Sequence, residues 1–286
     1  MNWHTRRLLL LDFETSGVDP HRDRIVTGAA IGVGGDQPTN VRDYLINPGI
    51  PIPAGATEIH GVTDEQAAQG TDPAVTVLEI ANLIMQSSRA KVPVVGHNVV
   101  YDLTMLWAEL TRYGHESVAN WLAGVRPVVD TKIVEHHLDP FRPKLPKPWT
   151  KRPDEACGSH QLTECCRLWG IELSAEDAHG AAADALAAGR LAWRLATDHL
   201  RFARFDSKPT ERVDVAAMSL DDLHEWQVGQ YAERALSFQS YMRGEQRGKP
   251  DEVDPGFVAN TQWPVQSPPA GWSPADLPVV AEAVSA

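Results

Sequence analysis

The sequence predicts an α/β domain, a mixed sheet opened by a hairpin meander and completed by alternating helices and strands. Three observations predict it. Apolar, β-rich runs at residues 7–11, 25–33 and 41–46 follow one another closely, with Gly34-Gly35 as a turn signal between the last two. Further along, short apolar runs at 92–95 and 125–130 alternate with stretches of helical periodicity. At 286 residues the chain is long enough to bury a substantial core plus an appendage.

Each element has a local reason. In the first strand side chains alternate between faces, so Leu8, Leu10, Asp12 and Glu14 project to one side. Both carboxylates therefore leave the strand end together. After the third strand, Thr63 and Gln66 form a capping box for a short helix. Asp72 followed by Pro73 opens a helix that runs to about residue 89. The next helix, 99–113, carries Val99, Leu103, Leu106 and Leu110 on one stripe and stops at Gly114. Asp102 borders that stripe, which predicts a half-buried position beside the sheet. A helix begins at 133–138, a Pro-rich loop with Arg142, Lys144, Lys147, Lys151 and Arg152 fills 139–155, and a helix covers roughly 160–169. In the helix at about 181–199, Asp184, Ala188, Leu191 and Leu195 share a face, so Asp184 points inward among alanines small enough for close approach.

Beyond residue 200 the character changes. Residues 219–242 read as an amphipathic helix with Val228, Tyr231, Ala235, Phe238 and Met242 at helical spacing. No Lys or Arg follows Lys249, prolines recur, and Trp263 and Trp272 stand in an acidic stretch. The expected division is a domain at 1–200, a helical extension at 201–248 and a Pro-containing acidic tail at 249–286, part of it flexible.

Composition narrows the function. The formal net charge of -12 argues against a protein that coats polyanions through a broad basic face, while leaving room for one that grips a few nucleotides through a cation. The run of leucines at 8–11 ends at Asp12, so it reads as a buried strand and not a targeting segment, and nothing approaches the length of a membrane span. The three cysteines, Cys157, Cys165 and Cys166, fit a reducing, cytoplasmic compartment. No Cys-x-x-Cys pair exists, so with His160 they read as packing groups and not a zinc site.

The chemistry is carried by four carboxylates and a histidine spread over three segments. They are Asp12 and Glu14 in LLLLDFETSG, Asp102 in GHNVVYD, and His179 with Asp184 in HGAAAD. Taken singly, each has an ordinary explanation as a cap, a surface charge or a first-turn acid favoured by the helix dipole. Together, each at the end of a strand or the start of a helix, they form what a phosphodiester-cleaving site with two divalent cations needs. Hard oxygen ligands suit Mg2+ or Mn2+ better than zinc. A histidine with an ordinary pKa near 6.5 can take a proton from water near neutral pH.

Over about residues 6–198 the sequence resembles the DEDDh family of 3′→5′ exonucleases, which includes polymerase proofreading subunits and oligoribonuclease. The resemblance extends to IHGVTDE at 59–65. It implies a ribonuclease-H-like fold with a mixed five-stranded sheet flanked by helices. It also implies that Asp12, Glu14, Asp102 and Asp184 hold two metal ions, that His179 is the general base, and that Thr15, Asn98 and Tyr101 line the substrate cleft. Ser16, Tyr101 and Gly180 depart from the commoner family residues without removing a ligand. The expected substrate is the 3′ end of single-stranded or frayed DNA, with release of nucleoside monophosphates. Short RNA is one alternative, and a non-catalytic nucleic-acid-binding or scaffold module of the same fold is another. No clamp-binding peptide is legible in the tail, so polymerase association would have to use an unrecognised surface.

Overall fold

The structure, a computed structural model, describes residues 2–138, 160–173, 180–197, 213–246 and 252–273. Its sheet contains β1 (Leu8–Thr15), β2 (Ile25–Val33), β3 (Asn40–Leu45), β4 (Val94–Gly96) and β5 (Val128–Asp130), in the order β3-β2-β1-β4-β5. The first three strands form the expected antiparallel meander. β4 and β5 add in parallel, Leu9 opposite Val94 and Val95 opposite Val129. The C-terminal ends of β1, β4 and β5 therefore share one edge of the sheet, the place where open α/β sheets bind ligands.

Alternation along β1 builds two cores. Leu9, Leu11 and Phe13 pack on one face with α3 (Pro73–Arg89) and α4 (Val99–Arg112). Leu8 and Leu10 pack on the other with α7 (Leu162–Trp169) and α8 (Ala181–Thr197). Strand parity thus sends Asp12 and Glu14 towards α8, the helix that carries Asp184. Close approach of α8 is real: a Cβ on Gly189 would stand 2.7 Å from Leu10 Cδ1. The capping signals also operate. Thr63 and Gln66 exchange the two bonds of a capping box at α2 (Asp64–Ala67), and Asp72 accepts the Val75 N–H at the start of α3.

Four elements differ from the sequence reading. A 3-10 turn (Trp3–Thr5), α1 (Ala54–His60) and α5 (Glu116–Leu122) were not anticipated, because each is too short to show a repeating apolar face. β5 begins at Val128, three residues later than expected. Asp102 is 4% exposed, fully buried where a half-buried position was expected. The reason is a bond across the chain, described below. Between α5 and α7 lies α6 (Thr131–Leu138).

The helix α9 (Leu220–Met242), capped by Ser219, covers the edge strand β5. Its buried contacts here are polar. Asp130 donates its N–H to Gln227 Oε1 at 2.7 Å, Gln227 Nε2 donates to the Val128 carbonyl at 2.9 Å, and Val128 donates its N–H to His224 Nδ1 at 3.2 Å. An edge strand with open backbone groups is a liability, and this helix closes it with side chains. Gln227→Leu leaves a buried N–H and a buried carbonyl short of partners, so an unfolding free energy lower by about 2–5 kcal/mol is expected in urea titrations. An unchanged denaturation midpoint would show that water replaces the side chain without loss.

The stretch 252–273, read from sequence as part of a weakly patterned tail, packs against the domain. Trp263 and Val265 enter the core beside α4. Gln266 takes the Thr104 hydroxyl oxygen as acceptor for its N–H at 3.0 Å, and its side chain donates to the Tyr231 hydroxyl at 2.6 Å. Trp272 Nε1 donates to the His21 carbonyl at 3.1 Å, and the Trp272 ring lies 5.7 Å from that of Trp107.

Candidate active site

β1 ends in Asp12-Phe13-Glu14-Thr15, with a register shift between Glu14 and Thr15 that passes over Val26, so that Thr15 pairs with Ile25 of β2. Carboxylate oxygens of Asp12, Glu14 and Asp184 lie within 4.8 Å of one another. Two come from alternate positions of one strand and the third from the first turn of α8, where the Asp184 N–H bonds the Gly180 carbonyl at 3.1 Å. Among the described residues this is the group of acids, histidines or cysteines able to share one metal ion.

Asp102 approaches from the opposite face of the sheet. Past the short β4, the Phe13 N–H has no strand partner, and Asp102 Oδ1 accepts it at 3.0 Å. This contact anchors the first turn of α4 to the strand that carries Asp12 and Glu14. Asp102 is not in the three-acid cluster, but its charge reaches both Asp12 and Glu14.

The electrostatics are those of uncompensated negative charge. Burial, reinforced by Asp102, Asp184 and Glu14, pushes the Asp12 carboxyl well above the usual carboxylate range. Burial and the Asp184 charge raise Glu14 to about 7. Burial raises Asp102 to about 8, against the pull of the Phe13 N–H and with help from the Asp130 and Glu14 charges. A divalent cation would reverse these shifts, and an all-oxygen donor set fits a hard ion.

Of the residues expected to line the cleft, Thr15 closes β1, Asn98 is the N-cap of α4 and Tyr101 lies in its first turn. The Thr15 hydroxyl lies 2.8 Å from the Tyr101 hydroxyl and donates to the Gly17 carbonyl at 2.7 Å. Tyr101 also bonds the Gly17 carbonyl. Together they hold the turn that follows β1, which Ser16 and Arg24 close by reciprocal backbone and hydroxyl bonds. Asn98 precedes α4 with φ of 66°, a left-handed conformation that asparagine tolerates. His179 lies outside the described residues, as do Cys157 and the basic loop 142–152.

Sequence reasoning missed Asp130. It is 1% exposed, and its Oδ1 accepts the Asn98 N–H at 2.9 Å and the Lys132 N–H at 3.0 Å. One carboxylate thereby ties the turn after β4 to the turn after β5. An aspartate at a strand end, repeating the position of Asp12, was the available signal. His97, in the turn after β4, is bonded through both ring nitrogens. Its ring spans Thr131 Oγ1 at 2.9 Å and the His160 carbonyl at 2.8 Å. Burial drives its pKa to about 3, so the ring is neutral. Its one proton then sits on Nε2, facing the carbonyl.

The RNase_T family model, described as an exonuclease, matches residues 9–192. A PolC-type DNA polymerase III from Streptococcus pyogenes is 27% identical over 163 residues, 57% of this chain and 10% of that protein. E. coli exonuclease I, solved in complex with a dT13 oligonucleotide, superposes with a TM-score of 0.55 at 24% identity, over 70% of this chain and 43% of that one. A structure described as an ExoI/SSB-Ct complex covers 84% of this chain and 47% of its own, with a TM-score of 0.53 and 20% identity. These solved structures share the fold, and the chain spans a tenth of the polymerase and under half of either exonuclease chain.

Proposed function

The chain belongs to the RNase_T exonuclease family, with its ribonuclease-H-like fold, and from that premise we propose that it is a metal-dependent 3′→5′ exonuclease. Its substrate is the 3′ end of single-stranded or frayed DNA, and its products are nucleoside monophosphates. The observation that carries this reading is the convergence of Asp12, Glu14 and Asp184 within 4.8 Å at the sheet edge, with Asp102 in electrostatic reach.

Asp12, Glu14, Asp102 and Asp184 would hold two ions, Mg2+ or Mn2+. When bound, such ions stabilise charge on the attacking and leaving oxygens of an in-line displacement. The protein's own groups do the rest. Asp12 and Glu14 are fixed by strand parity, and Asp102 by its bond to the Phe13 N–H. His179 accepts the proton of the attacking water. Thr15 and Tyr101, whose hydroxyls both donate to the Gly17 carbonyl, brace the turn against which the terminal nucleotide rests, and Asn98 stands at the start of α4.

The test is to incubate the purified protein with end-labelled DNA and RNA oligomers, with and without Mg2+ or Mn2+. A ladder that shortens from the 3′ end only with metal is expected, faster on DNA. Faster shortening of RNA would move the assignment to an oligoribonuclease-like activity. No shortening of either would leave a binding module of the same fold.

A further inference from the structure

Next to the acid cluster, on the same sheet edge, lie two cations that the chemistry above does not use. Lys132 follows β5, and its Nζ donates to Asn98 Oδ1 at 3.2 Å. Arg234 comes from α9. That helix runs along β5 in the strand's own direction, since His224 meets Val128 and Gln227 meets Asp130. Gln227, Tyr231 and Arg234 fall at i, i+4 and i+7, on one face. At 1.5 Å per residue Arg234 stands about 10 Å beyond Gln227, past the C-terminal end of β5. Its charge is felt by Lys132, by His97 and by His136.

Both side chains are half-buried, and neither forms an ion pair among the described residues. Both feel the charge of Asp130, which is buried, with Oδ1 already taken by two backbone N–H groups. Two cations thus share one committed anion, in a chain whose overall charge is -12. Holding like charges together in a partly desolvated niche is unfavourable unless an external anion joins them. An anion with several oxygens on one centre matches a planar guanidinium beside a point-charge ammonium.

We propose that Lys132 and Arg234 form a phosphate-binding subsite that grips an internal phosphodiester of the strand whose 3′ end lies at the Asp12 cluster. The ligand class is the nucleic-acid backbone, and the helix that follows the family-matched region supplies half of the subsite. This rests on the nuclease reading for its substrate, but it is measured through binding alone.

Affinity for a fluorescein-labelled oligo-dT is measured by anisotropy in EDTA, across a series of KCl concentrations, while turnover with Mg2+ is followed separately. Arg234→Ala and Lys132→Met are each expected to weaken binding about tenfold, the size of one charge-assisted contact. Each should also make the slope of log Kd against log salt shallower by about 0.7. A second measurement changes the ligand instead of the protein charge and compares the parent with Arg234→Ala. Replacing single linkages by neutral methylphosphonate should cost the parent protein about tenfold at one internal position. Arg234→Ala should lose much less at that position. Unchanged affinity and salt slope in the variants, an equal methylphosphonate penalty with and without Arg234, or no binding by the parent would overturn the subsite. Absence of metal-dependent turnover, with the binding results as expected, would overturn the nuclease reading and leave the subsite standing.

Discussion

Asp12→Asn is expected to lower turnover of a 3′-labelled oligonucleotide by about a thousandfold or more, with Mg2+ or Mn2+ alike. The substitution keeps the shape of the side chain and removes the charge at the centre of the cluster. Asp12 is the acid that feels Asp102, Asp184 and Glu14 together. Divalent ions supply several kcal/mol to the transition state, and each 1.36 kcal/mol is a factor of ten in rate. The same change should raise the melting temperature in EDTA. These carboxyls have folded-state pKa values above their unfolded ones, so between about pH 4 and pH 7–8 the native state binds more protons than the unfolded one. Their contribution to stability is therefore lost as pH rises through that window, and neutralising Asp12 relieves part of the loss. Added divalent metal should stabilise the parent and leave the variant nearly unmoved. A variant that retains a tenth of parental activity, or melts lower in EDTA, would remove Asp12 from the metal cluster.

His179→Gln is expected to reduce activity by about 10²–10⁴-fold, the range for a lost general base. His179 directly precedes Gly180, whose carbonyl accepts the Asp184 N–H at the start of α8. The parent's activity should fall as pH drops, and two kinds of group contribute. Protonation of Glu14 and Asp102, raised to about 7 and about 8, competes with metal, so that limb moves to lower pH as metal concentration increases. Protonation of an imidazole near its ordinary 6.5 does not depend on metal in this way. At saturating Mg2+ the parent should keep an acid limb near pH 6.5, and His179→Gln should lose it. A parental profile that stays flat from pH 8 to pH 5.5 under saturating metal would exclude His179 as the base.

Much of this site is readable locally. The two-residue period of a strand is enough to put Asp12 and Glu14 on one side, and the alanines around Asp184 announce close packing before any neighbour is known. The helices α3, α4 and α8 declare themselves through caps or apolar stripes, whereas the stripe read for α9 is not its buried face, which is Leu223, His224 and Gln227 while Phe238 stays exposed. Short helices such as α1 and α5 do not declare themselves, because seven residues carry less than two helical turns. Trp263 misleads for a related reason: a lone aromatic in a polar, Pro-rich stretch has no periodic partners, yet it enters the core.

The residue types and their spacing alone determined an α/β domain with acids at strand and helix ends, because those choices follow from backbone geometry within a few residues. Tertiary structure alone decided that Asp102 spends an oxygen on the Phe13 N–H, that Asp130 joins two turns, that Gln227 closes the edge of β5, and that Arg234 reaches the cation niche. Each of those interactions joins groups about 30 to 100 positions apart. Their pairing depends on which strand lies at an edge and where a neighbouring strand stops, and no local period records either.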